Sequence, residues 1–223
     1  MTRQALAREV ALNAPGMPPE IWLQVMQQLA SQRDFASLFR CARVSRSMAN
    51  FSLPLLYSVH ELANVDISVV LWRSVIASAF GKTLFPYCTW IKVLKLSNLM
   101  SLLEDISQQK AVLRGPFFSP PLQNLKGMNR DAIIIQVADL ITQRIEDAAK
   151  DADKATQLTS LEGPHLPSAY LSTFVSRLSR LTSLAVRDGS VLTIDVGQAI
   201  RKNCPAFKEL YDAHPIEVVW STY

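Results

Sequence analysis

At 223 residues the chain has room for one ordinary domain plus a small module, and its 49% hydrophobic and 19% charged residues exclude a disordered polymer. The net charge of +4 and pI near 9.0 come without any Lys/Arg block, so no nucleic-acid footprint is visible, and seven glycines argue against a glycine-rich catalytic scaffold. Cys41, Cys88 and Cys204 lie far apart with no Cys-x-x-Cys pair, which spells out neither a disulfide framework nor a zinc knuckle and suits a reducing compartment.

The opening "MTRQALAREVALNAPG" carries Arg3, Arg8 and Glu9 where a signal peptide needs an apolar run, so secretion is not expected, and residues 1–14 are expected to be a flexible tail. Pro18 and Pro19 suit the first turn of a helix, and Glu20 places negative charge near its positive end. Ile21, Val25 and Leu29 then recur at i, i+4 and i+8, with Trp22 and Met26 widening the stripe. "ASQR" interrupts. Asp34 is a good N-cap for a second helix carrying Phe35, Leu38, Phe39 and Ala42, and a third short helix is expected from about Val44 to Phe51. Three such helices hold more apolar positions than they can hide among themselves. Each spare Leu-sized side chain is worth about 1.5–3 kcal/mol on burial, so a partner surface is expected.

These residues resemble the F-box family, particularly its fungal form. Pro18, Glu20 and Ile21 stand where the family opens Leu-Pro-x-Glu-Ile, Val25 and Leu29 continue the first helix, and Asp34, Phe35 and Leu38 open the second. Val44, Ser45, Arg46 and Met48 stand where Val-Cys-Arg-x-Trp is usual, and Leu55, Leu56 and Tyr57 match the exit segment. Met17 replaces the first Leu, Met48 replaces a frequent Trp, and about three extra residues separate Leu38 from Val44 relative to the shortest members. The likeness spans residues 15–60. It implies a three-helix F-box that docks into a Skp-type adaptor through Pro18, Ile21, Val25, Leu29, Leu38, Val44, Leu55 and Leu56. The adaptor in turn links to the cullin and RING subunits of an SCF-type ubiquitin ligase.

Beyond Tyr57, Ile67 to Phe80 reads as a helix with Ile67, Val70, Leu71 and Ser74 on one face, and Gly81 and Pro86 break it. "WIKVLKLSNL" suggests a short strand through Ile91, Val93 and Leu96, with Leu94 and Leu99 in leucine-rich-repeat spacing and a helix from about Leu102. "RGPFFSPPLQNLKGMN" reads as a proline-punctuated loop. Asp131 to Ala155 reads as a long helix with Ile134, Val137, Ile141 and Ile145 as its stripe and the charges from Arg144 to Lys154 on its solvated side. Leu178, Leu181, Leu184 and Val186 follow the repeat spacing into a strand and an Asp-Gly turn; a helix is expected over Val196 to Lys202, and Phe207 and Leu210 repeat the spacing about 26 residues after Leu181.

The expected fold is therefore mostly α with short strands: an F-box over 15–60, then an irregular α/β leucine-rich-repeat-like solenoid over 61–223. "EVVWSTY" offers no recognisable cap, so either that terminus packs irregularly or the chain is shorter than the proteins it resembles. The expected function is that of substrate receptor of an SCF-type ligase, not an enzyme, with no cofactor, nucleic acid or membrane involved, acting in cytoplasm or nucleus on a protein target. Lys92, Lys95, Arg187 and Asp188 are the candidate target-binding residues. His60, His165 and His214 have no partner at ligand or triad spacing, and no phosphate loop, Gly-x-Ser-x-Gly or His-Glu-x-x-His occurs. Ser45 and Ser47 sit in the basic stretch "ARVSRSM", where Ser45 is expected to pack at the motif's Cys position, and Cys41 reads as a small buried hydrophobe. Trp22, Trp72, Trp90 and Trp220 are too dispersed for a stacking platform. Two alternatives stay open: a repeat-type interaction scaffold without a ubiquitin role, and a helix-turn-helix DNA-binding protein with Arg40, Arg43 and Arg46 on its recognition helix.

Overall fold

In the computed structural model, Pro18 sits extended ahead of helix α1 (Pro19–Ser31), and its carbonyl accepts from the Ile21 and Trp22 N–H groups at 3.0 and 3.2 Å. The described residues are 17–58, 65–108, 111–151, 157–163, 166–186 and 189–212, so the expected tail over 1–14 lies outside them. The chain divides into two units, Met1–Leu56 and Tyr57–Tyr223.

In the first unit α1 ends in a tight reversal. Arg33 takes a left-handed conformation at φ 57, the Arg33 N–H donates to Ala30 O at 3.0 Å, and the Asp34 N–H donates to Leu29 O at 2.9 Å. This double bond satisfies two helix-end carbonyls with an arginine where glycine is usual. Asp34 then caps α2 (Phe35–Ala42), accepting the Ser37 N–H at 3.0 Å, as the sequence leads one to expect.

Helix α3 (Arg46–Ser58) is longer than expected, because it continues through Pro54. The hydrogen bond Pro54 cannot donate would have gone to Asn50, which is exposed, so water can serve that carbonyl. Ser45 does not pack inward. It is exposed and caps α3, its Oγ accepting the Met48 N–H at 3.2 Å. The interior of this unit is small, built on Met26, Leu38, Ala49 and Ser52, with Ser52 Oγ donating to Met48 O at 2.9 Å and lying 3.3 Å from Met26 Sδ.

The second unit begins with α4 (Val65–Ala79), which closes at Gly81 with the same pair of bonds that ends α1: Gly81 N–H to Ser78 O and Lys82 N–H to Ala77 O, both 2.9 Å. The expected face is displaced. Leu71 is buried as expected, but its buried companions are Val69, Trp72, Val75 and Ile76, whereas Val70 is 62% exposed and Ser74 turns its hydroxyl back to Val70 O; the Ile67 side chain lies outside those described. In a run as apolar as this one, periodicity admits more than one inner face, and packing selects among them.

Four short parallel strands, β1 (Val93–Lys95), β2 (Ser160–Gly163), β3 (Ser183–Val186) and β4 (Glu209–Asp212), form one sheet in chain order among the described residues. Leu94, Leu161, Leu184 and Leu210 stand in register across it. A repeated bond pattern opens each step. The Lys92 carbonyl accepts from the N–H groups of Thr159 and Ser160, that of Thr159 from Thr182 and Ser183, and that of Thr182 from Lys208 and Glu209, all at 2.8–3.1 Å.

Between β1 and β2 lie α5 (Leu96–Gln108), α6 (Ala111–Phe117) and α7 (Arg130–Asp151); α8 (Ser168–Ser176) joins β2 to β3, and α9 (Ile194–Asn203) joins β3 to β4. Parallel neighbours require such crossovers, and the helices bury the inner face of the sheet.

Three expectations are corrected here. The first helix after β1 starts at Leu96 rather than Leu102, since Leu96 and Leu99 are both needed inside. The stretch "RGPFFSPPLQNL" is structured: it contains the end of α6 and a 3-10 turn at Leu122–Leu125, and it buries Phe117, Phe118, Leu122 and Leu125. The Arg73 guanidinium holds this stretch from α4, donating to the carbonyls of Phe117 at 2.6 Å, Ser119 at 3.3 Å and Pro120 at 3.2 Å, and also to that of Pro116. One cation so gathers four carbonyls at a helix end and the proline turn after it, of which those of Pro116 and Ser119 also accept the N–H groups of Ser119 and Leu122. Finally, β2 was not anticipated at all.

Helix α7 buries Ile134, Val137, Ile141 and Ile145 as expected; its expected extension to Ala155 falls on residues 152–156, outside those described. Its charged side is only partly solvated. Arg177, at the end of α8, donates to Asp139 Oδ1 at 2.8 Å and to Thr142 Oγ1 at 3.1 Å and lies 3.7 Å from Glu146, tying the two helices together.

Candidate functional site

Two surfaces emerge, one in each unit. On α1 the interior is centred on Met26, which is fully buried, with Trp22, Leu29 and Ala30 half-buried beside it. Met17, just ahead of the helix, and Ile21 and Val25, roughly 140° and 100° around it from Met26, form a separate apolar strip. They are 47%, 40% and 38% exposed. Pro18 is exposed at the head of the strip, and Val44, between α2 and α3, is 74% exposed.

Leu29, Leu55 and Leu56 are half-buried. Leu38 is different: it is fully enclosed in the unit's own interior and has no surface to offer a partner, so its expected docking role is withdrawn. Met26 rather than Ile21 or Val25 faces inward because α2 and α3 lie on that side. All three residues are comparably apolar, so the sequence holds no signal that separates them.

In the second unit, inward positions of the strands alternate with outward ones. Two outward rows run across the sheet: Val93, Ser160, Ser183 and Glu209, then Lys95, Glu162, Ala185 and Tyr211. Ser160, Ser183 and Ala185 are the small members of this face, and Lys95, Glu162 and Glu209 carry its charge. Glu162 accepts a hydrogen bond from Ser97 Oγ, and Tyr211 Oη donates to Glu209 Oε2 at 2.8 Å, a bond that raises the Tyr211 phenol above its ordinary range.

Lys95 is thus placed on the outward face, and Lys92 is exposed just ahead of β1, at the position that Thr159, Thr182 and Lys208 occupy ahead of the other strands. Arg187 and Asp188 lie outside the described residues, as do His60, His165 and His214. Ser160, Glu162, Ser183, Glu209 and Tyr211 were missed. A signal existed: Leu-Thr-Ser-Leu occurs identically at 158–161 and 181–184, and its second occurrence marks the strand that was recognised.

Cysteine chemistry is muted. Cys41 is half-buried rather than fully buried, burial raises the Cys88 thiol, and burial pushes Cys204 up to about 11. Among the described residues no group of three or more His, Cys, Asp and Glu side chains comes together as a metal site would, and no helix is long and apolar enough to cross a membrane. Comparison of the chain with known protein families, curated proteins and solved structures finds no match.

Proposed function

We propose that the chain is the substrate-receptor subunit of an SCF-type ubiquitin ligase, in which the first unit docks a Skp-type adaptor and the second carries a leucine-rich-repeat-like solenoid that binds a target protein. The carrying observation is the apolar strip of Met17, Ile21 and Val25, left outside a three-helix unit whose own interior is already filled by Met26 and Leu38. A strip of this kind gains about 25 cal/mol for every Å² it buries against a partner helix. Pro18, Val44, Leu55 and Leu56 extend the proposed contact, and Leu29 adds the part of its side chain that the unit leaves exposed. The adaptor brings the cullin and RING subunits; the chain itself supplies proximity between target and ubiquitin-charged enzyme rather than catalysis.

The target side rests on the outward rows of the sheet, with Lys92, Lys95, Glu162, Glu209 and Tyr211 as its charged and aromatic members. Four strands in chain order, with leucines in register at steps of 23 and 26 residues over the last three, favour the solenoid reading of this unit. They favour equally a repeat-type scaffold with no ubiquitin role. Isothermal titration with purified Skp-type adaptor separates the two. Sub-micromolar binding by the wild type that Ile21→Asp with Val25→Asp abolishes, with far-UV circular dichroism unchanged, is the expected result. A folded wild type that leaves the adaptor unbound refutes the ligase reading and leaves the scaffold.

A further inference from the structure

The face of α2 opposite Leu38 has a composition unlike the rest of the first unit. Ala36, Phe39, Arg40 and Arg43 follow one another at i, i+3, i+4 and i+7 and are all exposed, Phe39 at 53%. The Arg43 guanidinium carbon lies 6.0 Å from the centre of the Phe39 ring, and Arg40 flanks it one residue along the helix. Glu20 and Asp34 are the acidic residues between positions 17 and 56, against four arginines. Asp34 is engaged as the cap of α2, its carboxyl held below the ordinary carboxylate range chiefly by the Ser37 hydrogen bond, with a smaller contribution from Arg40.

A half-exposed phenyl ring with one guanidinium over it and a second exposed beside it on the helix combines aromatic and arginine side chains, both enriched at the centres of protein interfaces. The ring calls for an apolar counterpart, and the guanidinium forks for carboxylates, which they bind in two-pronged geometry.

We propose that Phe39, Arg40 and Arg43 form a docking face for an acidic protein segment that carries an apolar side chain between carboxylates. The face is about 10 Å long, since it spans seven residue steps of helix, and that matches three or four residues of extended chain. A nucleic-acid occupant fits less well: no Lys, Asn or Gln joins the arginines on this face to reach phosphates or base edges, and a phosphate backbone leaves the phenyl ring uncovered. The face uses residues of α2 and its C-cap and none of the α1 strip, so it stands or falls independently of the adaptor reading.

The test is fluorescence anisotropy with the full chain and three probes: a labelled ten-residue peptide of Glu and Asp around a central Leu-Phe pair, the same peptide with Gln and Asn in place of its acids, and a short DNA duplex. Variants are Phe39→Ala, Arg40→Gln with Arg43→Gln, Ile21→Asp, and the control Arg201→Gln on an exposed position of α9. Circular dichroism reports retention of fold. The acidic peptide is expected to bind, to weaken at least about tenfold with either α2 variant or with loss of its carboxylates, and to be indifferent to Ile21→Asp and Arg201→Gln. The proposal is overturned if the acidic peptide fails to bind at about 1 mM, if the neutral peptide binds equally, if the folded α2 variants bind as the wild type does, or if DNA binds more tightly than the peptide.

Discussion

Leu184 and Leu210 occupy the same inward row of the sheet in adjacent strands, yet Leu184 is fully buried and Leu210 is 48% exposed. Truncating each to Ala therefore separates burial from position. At Leu184 the loss includes the transfer of a fully buried side chain, about 1.5–3 kcal/mol, and the cavity left beside Leu161 of the adjacent strand, for a total of about 2–5 kcal/mol. At Leu210 roughly half the transfer remains to be lost and the space opens to solvent, so the cost is about 1 kcal/mol. Urea unfolding followed by tryptophan fluorescence and far-UV circular dichroism measures both, read at the transition of the second unit, which contains Trp72 and Trp90. Equal costs at the two positions would refute the reasoning, because Leu210 would then have to be covered as completely as Leu184. A cost below about 1 kcal/mol at Leu184 would refute the ladder itself.

Gly163 occupies an inward position in β2, paired with Val186, where an added Cβ would sit 2.4 Å from Leu166 Cδ1. Gly163→Ala is expected to cost about 1–3 kcal/mol in wild-type background and close to nothing in Leu166→Ala, a double-mutant cycle that fails if the two costs are the same. Arg33 holds its left-handed conformation against the preference of a side chain, so Arg33→Gly is expected to leave the thermal midpoint of the first unit unchanged or raise it; a clear drop would mean that the arginine's own contacts outweigh the backbone strain. In native protein at pH 8, a thiol-disulfide reagent should label Cys41 first, with Cys88 and Cys204 reacting only on unfolding; rapid labelling of all three contradicts the burial. Because the Cys204 thiol is raised from 9.0 to about 11 in the fold, the unfolded chain releases its proton first. The contribution of Cys204 is thus complete below pH 9 and is lost as pH rises from 9 towards 11, and Cys204→Ala should flatten that decline.

Local chemistry was legible in the sequence wherever it acts within a turn of itself. The proline pair and Glu20 set the start of α1, Asp34 caps α2, and Gly81 closes α4, each through bonds to residues no more than five positions away. The repeat spacing of Leu181 and Leu184 likewise marked β3, whose leucine returns to the interior, and the same spacing recurs at Phe207 and Leu210 beside β4. Strand β2 escaped notice because its four residues, Ser-Leu-Glu-Gly, hold one large apolar side chain and become a strand through the neighbours that β1 and β3 supply on either side.

What the tertiary structure alone decided was direction. Met26 rather than Ile21 or Val25 faces inward on α1, Trp72 and Val75 rather than Val70 on α4, and Leu38 is enclosed rather than free to dock. The Arg73 clamp joins residues 43 to 47 positions apart. Periodicity records that a face is apolar; which apolar face is covered depends on where the other elements lie, and that is a property of the assembled chain rather than of any window within it.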